Sequence, residues 1–460
     1  MQLSRNDRGF ARSAARTKTT LRRRNPQRGQ LSRNARGFAR SAARTRRCLL
    51  VLLALCAPTA ALAEDRAEVS TAMFIEKRDG GRGGLTVIHP QADLGVDIGR
   101  YVTLDVGYTA DAVSGATALI YQVDAVSAAT TFSDFRNQGS VALGFKGKRS
   151  RVSFGATFGT ERDYITRQVG GSASVDLPGR NTTLALAYTH GFDQVCNRDN
   201  AMASPLEARA LVGSDPCDKT GGFFGEDRPG MTVWEDLSID TAQATLTQNL
   251  SPTMNLQVAL YGQVLDGFQS NPYRRVRIGP NSPQEHIPGV RARWSVSARL
   301  NRYLPKLSSA VHMDGRFYND TWGVTAGNVE LGYSQYLGKS LLARFYARAY
   351  QQTAAVFFKD AFFYETESTA GEYFTGDREL SPVRNAMFGT KLTMITVGGE
   401  RPVWGLFDKL QFNLRGEILM LFPLAADSLE ANSAGIDTQF LYGNSLIDAV
   451  TLQLGLLGNY

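Results

Sequence analysis

Beyond residue 63 the sequence has no apolar run long enough to form a membrane-spanning helix. That absence excludes a helical membrane protein built on this part of the chain. Cysteine is scarce: Cys48, Cys56, Cys196 and Cys217 are the four in 460 residues, and no CxxC occurs. The four histidines, His89, His190, His286 and His312, are scattered. Neither residue type gives the clustered spacing of a metal site. There is no G-x-S-x-G elbow, no phosphate-binding loop and no nucleophile-and-base spacing, so the common hydrolase and nucleotide-binding signatures are missing. No Pro- or Ser-rich linker divides the chain after residue 63, and no propeller or solenoid repeat appears there.

Acidic residues are almost absent from the first 47 positions. This leader holds 15 Lys+Arg and one acid, Asp7. Taking these from the totals of 51 and 43 leaves 36 basic and 42 acidic residues, so the rest of the chain is net −6 although the whole is +8. The excess positive charge is therefore no argument for a nucleic-acid partner. Residues 3–17 and 31–45 are a tandem duplication differing only at Asp7 and Ala35. Arg46 and Arg47 precede the apolar run Cys48 to Leu62, which ends in the small-x-small triplet Ala61-Leu62-Ala63. This is the order of a secretory signal peptide. The expected organisation is a basic leader (1–47) absent from the mature protein, a signal h-region and cleavage site (48–63), and one mature domain (64–460). Export makes a Cys196–Cys217 disulfide the expected state of the remaining cysteines. A loop of that length contributes on the order of 3 kcal/mol by constraining the unfolded chain.

What the mature chain has in abundance is alternation. In Ala449–Tyr460, Val450, Leu452, Leu454 and Leu456 alternate with Thr451, Gln453 and Gly455. Such a period of two is a strand with one apolar and one polar face. The pattern recurs from Gln91 to Ile98, Val102 to Thr109, Arg291 to Leu300, Leu341 to Tyr350 and Lys409 to Ile418. Other segments carry it at 141–145, 152–158, 184–188, 241–247 and 255–260, and more weakly near 67–76, 163–175, 309–319, 324–336 and 386–398. The tally is about 16 strands, with 14 or 18 within the error of reading boundaries from sequence. Short turns near 99–100, 146–151, 176–181, 248–253, 302–307 and 337–340 alternate with mostly longer loops near 77–84, 110–138, 191–235, 264–289, 351–385 and 421–446. This is the loop asymmetry of a closed antiparallel transmembrane β-barrel with periplasmic turns and termini. A soluble β-sandwich or β-helix is the alternative that single strands leave open.

In a barrel the polar faces line the interior. Arg291, Arg293, Arg299, Arg344, Arg348 and Arg415 would line it with Asp93, Asp97, Asp105 and Glu417. Rings of charge can select solutes by sign. A salt-bridged, closed interior is the other reading of the same residues.

The segment Asp111-Ala-Val-Ser-Gly-Ala-Thr117 has a near copy, Asp124 to Thr130, with Ala128 in place of glycine. Asp, Ser and Gly suit a turn. The segment also resembles the motif on which FAD:protein FMN transferases attach FMN to the final threonine. That resemblance implies Thr117 as the acceptor and Asp111, Ser114, Gly115 and Ala116 as recognition residues, with such a transferase as partner.

The terminal strand, closed by Tyr460, resembles the last strand of bacterial outer-membrane barrels. With the SGAT loop, Asn271–Arg274, Arg316–Val324 and Arg344–Phe358, most of 67–460 resembles a family of uncharacterised outer-membrane barrels. The resemblance implies the outer membrane of a Gram-negative bacterium, contact with its lipid and insertion by the barrel-assembly machinery. The function expected is non-enzymatic, as a channel or a structural component of the envelope, without a cofactor. The alternative is a flavinylated component of envelope electron transfer.

Overall fold

A computed structural model describes residues 65–76, 85–115, 132–161, 164–197, 233–271, 276, 278, 285–359, 370–398, 402–423 and 447–460. Period-two patterning produces strands throughout. In order they are β1 (Arg66–Glu76), β2 (Leu85–Ile98), β3 (Val102–Gly115), β4 (Phe132–Lys146), β5 (Ser150–Thr160), β6 (Tyr164–Asp176), β7 (Thr182–Asn197) and β8 (Val233–Ser251). There follow β9 (Met254–Gly267), β10 (Val290–Leu304), β11 (Ser309–Asp320), β12 (Thr325–Leu337), β13 (Leu341–Gln352), β14 (Val383–Val397), β15 (Lys409–Pro423) and β16 (Ala449–Asn459). Each pairs antiparallel with its sequence neighbours, and β1 pairs with β16 from Arg66↔Asn459 to Glu76↔Ala449, closing the sheet. A closed barrel satisfies every strand edge, and it rules out the sandwich and the β-helix.

Paired residues share a face, so the register separates outside from inside. Leu94, Val106, Val141, Phe154, Leu186, Leu260, Leu331, Phe345, Phe388 and Leu454 are exposed large apolar side chains on one face. Tyr108, Tyr188, Trp294 and Phe317 mark that face toward the long-loop ends, and Phe145 and Phe412 toward the turns. An apolar outer band flanked by aromatic residues suits hydrocarbon bounded by two interfaces. Among the described residues no helix is long and apolar enough to cross a membrane.

Three expectations need correction. First, Asp111–Gly115 is extended strand, paired with Phe132–Arg136 of β4, rather than turn. Thr109 and Asp111 continue the inward parity of β3, and the hairpin ladder outweighs the local turn preference of Asp, Ser and Gly. The copy Asp124–Thr130 lies outside the described residues. Second, Cys196 is not in a loop. It belongs to β7, pairs opposite Trp234 and is fully buried. Third, the connection 398–408 between β14 and β15, absent from the expected short turns, is a wider one in which Trp404 and Phe407 pack. Phe407 lies 6.3 Å from the ring of Tyr460. The terminal backbone is held too, as Tyr460 N donates to Asp65 O at 3.0 Å.

Candidate functional site: the charged inner wall

The inner faces of β10–β15 carry a connected set of charges. It begins at the long-loop end, where β11 turns into β12. The Asp320 carboxylate has no exposed surface. Its Oδ1 accepts the Trp322 and Val324 amides at 3.0 and 2.9 Å, which shapes the 321–324 turn. Its Oδ2 accepts Arg291 Nε at 2.9 Å, Arg291 Nη2 at 2.5 Å and the Tyr318 hydroxyl at 2.7 Å. The Arg291 guanidinium stacks 4.1 Å from the Trp322 ring. Asp320 is thus a buried charge fully used by donors, the condition under which such burial is tolerated.

Around Trp322 the loops that follow β9 and β13 converge. Ile287, Trp322, Val324, Ala355, Phe357, Phe358 and Leu380 form a buried apolar cluster. Glu285 ties the two loops: one oxygen accepts the Asn271 amide at 2.7 Å and the other the Thr375 hydroxyl at 2.7 Å. A short ladder between His286 and Phe374 adds backbone bonds of 3.1 and 2.7 Å. Together they cap the long-loop end of β9–β14.

Toward the turns the network continues. Arg299 pairs with Asp314. Arg344 donates to Glu330 at 3.2 Å and to His312 Nε2 at 2.6 Å. His312 reaches across β12 because its row position there is Gly332. A Cβ on Gly332 would fall inside the imidazole ring. The same device recurs at Gly389, over which the Tyr346 ring lies. Tyr346 donates to Glu417 at 2.6 Å and accepts from Arg415 Nε at 2.7 Å, while Arg415 donates to Glu417 at 2.5 Å. Arg344 and Arg415 flank the Tyr346 ring at 5.3 and 5.6 Å.

His312, Asp314 and Glu330 bring one ligand atom each within 4.8 Å of one another, the spacing of a cation site. Arg344 argues against one. Its guanidinium points into the His312 lone pair and bonds Glu330, so a fixed positive charge already fills the position a metal would take.

The structure separates the six arginines singled out from the sequence. Arg291, Arg299, Arg344 and Arg415 each meet a carboxylate. Arg293 donates to Gln263 at 2.6 Å, and Arg348, opposite Glu330 in the register, donates to the Met387 sulfur at 3.2 Å. Sequence reading missed Asp320, Glu330, His312 and Tyr346 as partners. The signal was present: Arg316, Tyr318 and Asp320 share one parity of β11, but that strand is weakly patterned and its faces are hard to assign.

The opposite wall differs. Asp105 receives Arg66 and Arg151 at 3.4 and 3.3 Å, yet Asp105 and Arg151 are 30% and 47% exposed. Lys146 meets Asp97 at 2.6 Å. Asp111 is held by His89 Nδ1 at 2.6 Å. Ser114 and Gly115 pair by backbone with Ser133 and Phe132 of β4, and Ala116 and Thr117 lie outside the described residues, as does Cys217.

Comparison with known proteins gives a family and a fold. The family described as "Protein of unknown function (DUF3570)" matches residues 119–401. No curated protein matches the chain. The structure is similar to OccD3 (OpdP) of Pseudomonas aeruginosa, at 7% identity over 86% of this chain and 91% of that one, with a TM-score of 0.38. It is similar to CdiB from Acinetobacter baumannii at 9% identity over 87% of this chain and 61% of that one, TM-score 0.44. It is also similar to a bacterial polysaccharide outer membrane secretin at 9% identity, over 86% and 98% of the two chains, TM-score 0.40.

Proposed function

This chain belongs to the DUF3570 family, and from that footing we propose that it is a non-enzymatic outer-membrane channel. The apolar outer band and the closed 16-strand sheet support insertion in lipid. β1 begins and β16 ends beside the short turns, which supports periplasmic termini. The observation that carries conduction is the solvent exposure of charged side chains on the inner face. Arg151 and Asp105 point inward and still reach water. A barrel closed by packing alone would bury them on every side.

The test is conductance of the purified protein in a planar bilayer. Discrete current steps are expected, and a barrel that inserts with heat-modifiable gel mobility yet stays silent at every voltage would be a structural component instead. Changing Arg344 and Arg348 to alanine should lower anion preference; unchanged selectivity would remove them from the solute path. We further propose the Cys196–Cys217 disulfide. A non-reduced peptide digest should contain the linked pair, and two free thiols in protein from an oxidising envelope would refute it.

The flavin alternative keeps its own test. Denatured protein made beside an active transferase should fluoresce in the gel only if Thr117 carries FMN, and Thr117→Ala should abolish the band. The described part of the motif favours a structural role, since Asp111 is engaged by His89 in a paired strand.

A further inference from the structure

Seven arginines face inward on β10, β11, β13 and β15, and they divide by partner. Four meet carboxylates. Arg293, Arg316 and Arg348 meet none within ion-pair distance among the described residues. Arg348 is the sharpest case, with 7% of its surface exposed. Its contact is a thioether, a poor acceptor. Glu330, directly opposite on β12, acts on it electrostatically but is already bonded to Arg344. A buried guanidinium that faces a carboxylate across the strand without bonding it is incompletely neutralised. A wall that supplies four arginines with carboxylates and leaves three without them has surplus positive charge at defined places.

Register puts two of the three together. Arg316 of β11, Asn328 of β12 and Tyr350 of β13 form one inward row. At roughly 4.8 Å per strand, Arg316 and Tyr350 have backbones about 10 Å apart. Arg348 is one inward position along β13, about 7 Å from Tyr350. Both guanidiniums, and the Glu379 carboxylate, act electrostatically on the Tyr350 hydroxyl. The Arg348 guanidinium lies against Met387 of β14, so turning back toward Tyr350 would bring it and Arg316 to two sides of one group with several acceptor oxygens. Arg293, bonded to the neutral Gln263, lies farther toward the loop cap.

We propose that Arg316 and Arg348 bind a small oxyanion, a carboxylate or a phosphate, on the inner wall beneath the loop cap. Planar guanidiniums recognise either group through paired N–H donors. This names a solute class for the channel and rests on that reading. Binding is measured without any current, so the two fail separately: anion binding by a silent barrel would refute conduction and leave the site standing.

The experiment is calorimetric titration of the folded barrel in detergent with sodium phosphate and, separately, sodium succinate. Arg316→Gln, Arg348→Gln and, on the opposite wall, Arg151→Gln are compared with the parent, each first checked for heat-modifiable mobility. Saturable binding is expected, weakened about tenfold or more by each of the first two substitutions and unchanged by the third. Phosphate alone would mark a phosphorylated solute, succinate alone a carboxylate, and both an oxyanion at large. No saturable binding of either anion, equal weakening by Arg151→Gln, or no change in Arg316→Gln would overturn the proposal. Should Arg348→Gln fail to fold, Arg316→Gln alone decides.

Discussion

The two sides of the barrel interior treat the same residue types differently. On β1–β5, charged pairs such as Arg151–Asp105 stand in contact with water. On β10–β15, the Asp320 and Glu417 side chains are 0% and 2% exposed; Asp320 is held by several donors at once and Glu417 by Tyr346 and Arg415. Hydrated ion pairs contribute little because water screens them and the long side chains lose freedom. Buried ones cost desolvation and become sharply dependent on every partner. An inward Arg or Asp therefore has no fixed meaning. Arg151 and Asp105 belong to a solvent-exposed surface, whereas Asp320, Glu417 and the arginines bonded to them are structure.

The largest test of that difference is Asp320→Ala. It strands Arg291 and leaves the Trp322 and Val324 amides without their acceptor. Loss of a buried charge partner costs about 3–5 kcal/mol. A lower unfolding midpoint by heat or urea is expected, with looser loops and altered conductance as the cap around Trp322 gives way. A loss below about 1 kcal/mol would mean that this wall is as forgiving as the other.

Gly389→Ala and Gly332→Ala come next. An added methyl meets the Tyr346 or His312 ring and forces it off its row. Overpacking of this kind costs about 1–3 kcal/mol. Removing the ring as well, in Gly389→Ala with Tyr346→Ala, should leave no further clash, and a double-mutant cycle on unfolding free energy reads the coupling.

The smallest effect is expected at Asp105→Ala. The exposed pairs it breaks, with Arg66 and Arg151, are worth about 0–1 kcal/mol each, so stability should barely move. Ion selectivity should shift toward anions, because one inward negative charge is gone. A stability loss comparable to that of Asp320→Ala would erase the distinction between the walls.

Much of the architecture was legible in the residue pattern. Sixteen strands, their order and the faces of the strongest ones follow from alternation. A half-lipid, half-water surface leaves its imprint at every second residue. The weakly patterned β11 and β12 were harder to assign, and they hold Asp320, His312 and Glu330. Asp111–Gly115 read locally as a turn because its residue types favour one. Pairing with β4 overrode that preference, since an unbroken ladder satisfies more backbone groups than an isolated turn.

Local order along the chain was enough to specify an antiparallel barrel with an apolar exterior and a charged interior, because strand period and loop length are properties of consecutive residues. Which charges neutralise one another was decided only by the closed sheet. His312 reaches Arg344 over Gly332, and Tyr346 reaches Glu417 over Gly389. Those partners lie on neighbouring or next-neighbour strands, at heights set by inter-strand register. Register is a property of the assembled barrel: it sets Arg316 opposite Asn328, and Arg348 opposite a Glu330 that bonds Arg344 instead.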